Sequence, residues 1–234
     1  MVMFGSAVNP EWCVVQERVG VFGGTFDPIH IGHLIIAEEC RYALRLDRVV
    51  FVPANSPPHK PEMSISPGRD RLAMIALAIA DRPHLEADSL EFSRPGPSFT
   101  KDTLGELARR TPSAALFFLM GEDSLRDFAT WRNPERILEL AELAVARRPR
   151  VAVDLSALFA KIPAAVGRTH FVGMPQIGIS SSSIRSRVRI GAPIAFQVPP
   201  AVERYIRDAR LYLPNAKGAD DEPDSGLPAR TPDV

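Results

Sequence analysis

Eleven residues near the start of the chain, Gly23-Gly24-Thr25-Phe26-Asp27-Pro28-Ile29-His30-Ile31-Gly32-His33, constrain its fold more than any other stretch. An apolar run, Val19 to Phe22, leads into them and reads as a short buried strand. Two glycines then break the run; glycine admits positive φ and lets bare backbone approach whatever lies above it. Asp27-Pro28 is turn chemistry. Beyond His30 the period changes, and Leu34, Ile35, Ile36, Ala37, Cys40 and Leu44 suit a helix with a broad apolar face. The unit is strand, glycine turn, helix, with His30 just before and His33 just inside the first helical turn.

Such a unit is suited to polyphosphate. The first amides of a helix lack intrahelical partners and its N-terminal end is positive, so anions bind there. Two imidazoles add donors aimed into the same space. A single histidine near a helix start is usually a cap or a surface residue. A pair bracketing Gly32, behind a Gly-Gly turn, points to a site. The whole stretch, ending in His30-Ile31-Gly32-His33, resembles the signature of the nucleotidylyltransferase superfamily, which shares its His-x-Gly-His element with class I aminoacyl-tRNA synthetases.

With 234 residues the chain is long enough for one sizeable α/β domain. Nothing in it approaches the length of a membrane span, and residues 1–18 lack the apolar core of a secretory signal. The sequence therefore divides into an N-terminal extension (1–18), a domain (19–213) and an acidic, Pro- and Gly-containing tail (214–234) expected to be disordered. Cys13 and Cys40 form no zinc or disulfide pattern, so no metal ligand is assigned and a reducing cytoplasm suits the chain. Net charge is zero, but in the tail five acids face two bases, leaving the body slightly positive. That excess is too small for a general nucleic-acid binder and suits a small anionic ligand held by local groups.

Further along, Arg48 to Pro53 is a second buried strand, followed by a proline-rich loop from Asn55 to Pro67. Ser66-Pro67 opens a helix whose apolar positions are Leu72, Ile75, Ala76, Ile79 and Ala80. Leu85 to Asp88 is a weaker strand, and Ala114 to Met120 reads as the best central strand. Asn133-Pro134 caps a helix, Leu143 to Ala146 and His170 to Val172 are strands, and residues 154–161 read as a helix. Helices also start at Ile179-Ser180 and at Pro199-Pro200. Six alternations of strand and helix predict an α/β, Rossmann-like, doubly wound parallel sheet. With strand order 3-2-1-4-5-6, strands one and four meet at the switch point, and the turns leaving them open into one crevice.

Five further elements resemble one branch of the superfamily, the bacterial-type nicotinate-mononucleotide adenylyltransferases. They are Pro57-Pro58-His59-Lys60; Pro97-Ser98-Phe99-Thr100, with Phe99 where the branch has Tyr; Gly121-Glu122-Asp123-Ser124-Leu125; Trp131; and Ile179-Ser180-Ser181-Ser182-Ser183-Ile184-Arg185, with Ser182 where it has Thr. The resemblance implies the nucleotidyltransferase fold and transfer of AMP from ATP to nicotinate mononucleotide, in NAD biosynthesis. It assigns His30, His33 and Arg185 to catalysis. It assigns Gly23, Gly24, Thr25, Phe26, Gly32, Asp123, Ile179, Ser180 and Ser181 to ATP, with Asp123 on the ribose. Lys60, Ser98, Phe99, Thr100 and Trp131 go to the mononucleotide, Trp131 stacking on the pyridine. Mg²⁺ is expected with the ATP, carried by triphosphate and water. Taken singly, each residue has a plainer role: Ser180 or Asp123 an N-cap, Arg185 or Lys60 a solvated charge, Trp131 core. The rival readings are a phosphopantetheine adenylyltransferase or a cytidylyltransferase, and a nucleotide-binding regulator without turnover. A homo-oligomer is compatible with the sequence; nucleic-acid and membrane partners are not expected.

Overall fold

The computed structural model describes residues 16–56, 65–147 and 155–214. Strands β1 (Arg18–Gly24), β2 (Arg48–Pro53), β3 (Leu85–Ala87), β4 (Ala115–Gly121), β5 (Glu142–Arg147) and β6 (Thr169–Gly173) form one sheet, ordered β3-β2-β1-β4-β5-β6. Every pairing is parallel. The expected order, with β1 beside β4, is the one observed. β1 begins one residue earlier than the sequence reading placed it and runs on through both glycines, which pair with Val52 and Pro53 of β2.

Helices α1 (Ile31–Ala43), α2 (Gly68–Ile79), α3 (Thr100–Arg110), α4 (Glu122–Arg126), α5 (Pro134–Leu140), α6 (Ser156–Lys161), α7 (Ser181–Arg189) and α8 (Pro200–Asp208) connect and cover the strands. Side chains alternate across the sheet and build a core on each face. Phe22, Phe51, Phe117, Leu119 and Ala144 pack with residues of α1, α2, α7 and α8. Val21, Val50, Phe118, Met120 and Val145 pack with residues of α3 to α6. Gly20 sits where a Cβ would lie 2.9 Å from the Leu46 side chain, so the first face tolerates no side chain there.

Two helical readings need correction. The buried face of α2 is Arg71, Met74, Ile75, Ala78 and Ile79, with Ala76 and Ala80 exposed. Alanine carries too little apolar area to set a face, and Met74 decides it. Ser66 does not cap α2: the N-cap is Pro67, and Ser66 instead donates its amide to Asp27 and offers its carbonyl to Arg71. Among the described residues no helix is long and apolar enough to cross a membrane. The Pro57-to-Lys60 motif, Cys13 and most of both terminal segments lie outside the described residues.

Candidate active site

The glycine turn works differently from its sequence reading. Neither Gly23 nor Gly24 has positive φ; that conformation falls on Phe26, at φ 49°. The Phe26 ring folds back over the end of β1, where a Cβ on Gly24 would lie 2.8 Å from it. The glycine is needed for space rather than for its own dihedrals. Phe26 is 2 % exposed and packs edge-on against Phe22 and against His33, at centroid distances of 5.4 and 5.0 Å. It forms the floor on which the histidine stands. Gly32 plays the same part for His30, whose ring lies 3.1 Å from where a Cβ would be.

His30 and His33 stack face to face, centroids 3.7 Å apart and planes 21° apart. The His30 amide donates to Nδ1 of His33 at 3.2 Å. An accepting Nδ1 leaves the neutral ring's proton on Nε2, so His33 presents a donor at its far end. His30 is buried and its Nδ1 has no partner among the described residues. Burial pushes the His30 pKa down to about 4. Burial also holds His33 well below its ordinary value, and the neighbouring His30 adds to the effect. Both rings are neutral near pH 7, which lets them stack without charge repulsion. The α1 terminus is less open than expected, because the Ile31 amide already donates to the Gln197 carbonyl at 2.9 Å.

Behind the histidines, the cis Asp27–Pro28 turn is pinned from four sides. Asp27 is buried, and its carboxylate accepts from the Ser66 amide at 3.1 Å and the Tyr212 hydroxyl at 2.7 Å. Its carbonyl accepts from Arg185 at 2.7 Å, and the Pro28 carbonyl accepts from the Ser181 hydroxyl at 2.9 Å. Arg71, 2 % exposed, donates to the carbonyls of Thr25, Ala54 and Ser66. Burial lowers the Arg71 pKa, with Asp27 the leading opposing influence. Ser181 and Arg185 therefore bind the turn, and Ser180 caps α7 by accepting from the Ser183 amide.

Two cavities open at the carboxyl ends of the strands. One, of about 340 Å³, is lined by His30, Gly32 and His33 from β1–α1 and by Gly121, Glu122, Asp123 and Arg126 from β4–α4. Ile35, Ile36, Ala146, Met174, Pro175, Ile177 and Ile179 complete its apolar wall. Glu122 is buried and paired with Arg147 at 3.1 Å. The other cavity, of about 420 Å³, is lined by Ser98, Phe99, Thr100, Thr130, Trp131, Arg132 and Ile137. Trp131 rests against Phe118 and Phe128, and the Arg132 guanidinium sits 4.7 Å from the Phe99 ring centre. Ser98 is tied to Asn55 and Ser56 by its hydroxyl and backbone; Lys60 lies outside the described residues.

The structure thus brings His30, Gly32, His33, Asp123 and Ile179 to one cavity and Ser98, Phe99, Thr100 and Trp131 to another. Gly23, Gly24, Thr25, Phe26, Ser180, Ser181 and Arg185 are not in either lining; they frame the turn or the helix start beside it. Sequence reasoning missed Arg71, Tyr212, Arg126 and Arg132. Isolated arginines and a tyrosine carry no spacing signal; Arg126 follows Gly121–Leu125 and Arg132 follows Trp131, but neither is part of the motif it adjoins. Among the described residues no three His, Cys, Asp or Glu side chains converge to hold a metal ion.

Comparison with known proteins places this geometry. The sequence model of the family described as cytidylyltransferase-like matches residues 21–187. A protein of Thermomicrobium roseum named probable nicotinate-nucleotide adenylyltransferase is 51 % identical over 197 residues, 84 % of this chain and 92 % of that one. A Thermus thermophilus protein of the same name is 43 % identical over 195 residues, covering 83 % and 99 %. In fold, the chain is similar to Plasmodium falciparum nicotinic acid mononucleotide adenylyltransferase complexed with NaAD. That match has a TM-score of 0.69 at 21 % identity, over 84 % of this chain and 97 % of that one. The chain belongs to the cytidylyltransferase-like family and, within it, to the nicotinate-nucleotide adenylyltransferases.

Proposed function

We propose that this protein transfers the adenylyl group of ATP to nicotinate mononucleotide, giving nicotinate adenine dinucleotide and pyrophosphate, a step of NAD biosynthesis. The observation that carries the reading is the shared cavity. The stacked histidines leaving β1 face the Gly121–Asp123 turn leaving β4. A second, aromatic cavity opens on the same edge of the sheet. The names of the relatives agree with it.

The attacking phosphate is already an anion, so the reaction needs no general base and no covalent intermediate. Catalysis reduces to holding two polyanions in line and neutralising charge as it moves onto the leaving pyrophosphate. His33 offers its Nε2–H, fixed by the His30 amide at its other nitrogen. A triphosphate beside the rings favours their protonation, converting neutral donors into cations as charge arrives. Arg185 spends one nitrogen on the Asp27 carbonyl; a guanidinium has five N–H donors, so others are left for phosphate. Asp123 is exposed at the cavity and suits a ribose hydroxyl. Ser180, Ser181 and Gly23 to Phe26 frame the turn and the helix start beside the phosphate site. ATP enters as its Mg²⁺ complex, the ion held by triphosphate and water. Trp131 stacks on the pyridine in the cavity that it lines together with Phe99.

The test is pyrophosphate release with ATP and three acceptors side by side: nicotinate mononucleotide, nicotinamide mononucleotide and phosphopantetheine. The acid mononucleotide is expected to be fastest. Preference for phosphopantetheine, or no release with any acceptor, overturns the reading.

A further inference from the structure

We propose that Arg132 selects the acceptor, its guanidinium taking the carboxylate of the pyridine ring and so separating the acid mononucleotide from its amide counterpart. This rests on the adenylyl-transfer reading above. Arg132 lines the aromatic cavity together with Phe99 and Trp131. It is exposed, and its guanidinium is positioned by the Phe99 ring rather than by an acid. Other arginines near these cavities are committed: Arg126 to Asp123, Arg147 to Glu122, and Arg94 to Thr103 and Glu91. Among the described residues Arg132 has no carboxylate partner, so its charge is available to a ligand.

Backbone geometry fixes where that charge emerges. Trp131 is extended, Asn133 is left-handed at φ 53°, and Pro134 opens α5. Arg132 is held between a stacking residue and a rigid helix start. The same segment delivers an aromatic face and a cation to one cavity. Nicotinate mononucleotide carries two anions, a phosphate and a carboxylate. Its phosphate has to reach the histidine cavity for transfer to occur, so the anion left beside Trp131 is the ring carboxylate. An amide in that place offers a neutral oxygen and gains far less from a guanidinium.

The experiment compares the wild-type protein with Arg132→Gln and Arg132→Lys, using ATP and each pyridine mononucleotide. Arg132→Gln is expected to lower kcat/KM for the acid about tenfold. The value for the amide, the KM for ATP and the melting temperature should stay within about twofold or a few degrees of wild type. Arg132→Lys should recover part of the acid preference. An unchanged acid-to-amide ratio in Arg132→Gln overturns the proposal, and so does an equal loss on both mononucleotides, which would assign the guanidinium to the phosphate. A wild-type protein that adenylylates neither mononucleotide instead overturns the functional reading. Failure of one is thus distinguishable from failure of the other.

Discussion

The histidine pair makes a quantitative prediction about acid. An unfolded imidazole titrates near 6.5, whereas burial holds that of folded His30 at about 4. Between those values the unfolded chain binds more protons, so stability rises with pH and is lost as pH falls through 6.5 towards 4. The full gap is worth about 3 kcal/mol, of which about 2 kcal/mol is lost between pH 7.5 and 5.0. His33, lowered by the same burial, contributes with the same sign. Urea denaturation of wild type and His30→Gln at these two pH values reports this term together with the part of the His33 shift that His30 causes, because carboxylate titrations are common to both proteins and cancel. Wild type should lose about 2 kcal/mol more than the variant over this interval. Parallel stability curves would refute the claim that His30 is buried and neutral. Ligand binding supplies a second readout. Tripolyphosphate should draw protons onto the rings, so its binding enthalpy at pH 6.5 should vary with the ionisation enthalpy of the buffer. Buffer-independent enthalpy would show that the rings do not face the anion.

The other expectations follow from packing and pairing. Gly24→Ala places a Cβ 2.8 Å from the Phe26 ring. It should cost about 1–3 kcal/mol by denaturation and lower turnover through displacement of His33; an unchanged midpoint contradicts the role given to Phe26. Tyr212→Phe removes the donor to the buried Asp27 carboxylate and should destabilise the fold by about 1–3 kcal/mol. An effect within measurement error would mean that water replaces the hydroxyl. Trp131→Ala should raise the KM for the mononucleotide far more than that for ATP; equal increases in both would remove the stacking assignment.

The elements legible in the sequence are those whose chemistry is local. The apolar runs of β1, β2 and β4, the switch to helical period after His30, and the alternation that sets a parallel sheet all lie within short windows. The alternation left strand order open; taken in the common 3-2-1-4-5-6 arrangement, which is the one observed, it makes the β1 and β4 turns meet. What stayed hidden depends on distant partners. Arg71 looks like a solvated charge in Gly68-Arg69-Asp70-Arg71, yet it is nearly inaccessible, because three carbonyls of the β1–α1 and β2–α2 loops need a donor. Tyr212 meets Asp27 across nearly the whole chain. Gly24 announced itself as a turn glycine, but the constraint is the Phe26 ring above it, and no window of sequence shows which ring lies above which backbone. Ser181 and Arg185 were read from their motif as phosphate ligands; their partners in the structure are the carbonyls of the Asp27–Pro28 turn.

The burial of Arg71 bears on how this protein can be altered. One guanidinium closes off the carbonyls of Thr25, in the β1–α1 connection, and of Ala54 and Ser66, at the two ends of the β2–α2 connection. The two connections therefore share a keystone, and grafting either from a relative disturbs the other. Exchanges at the two should be strongly non-additive, each tolerated best when its companion is transplanted with it.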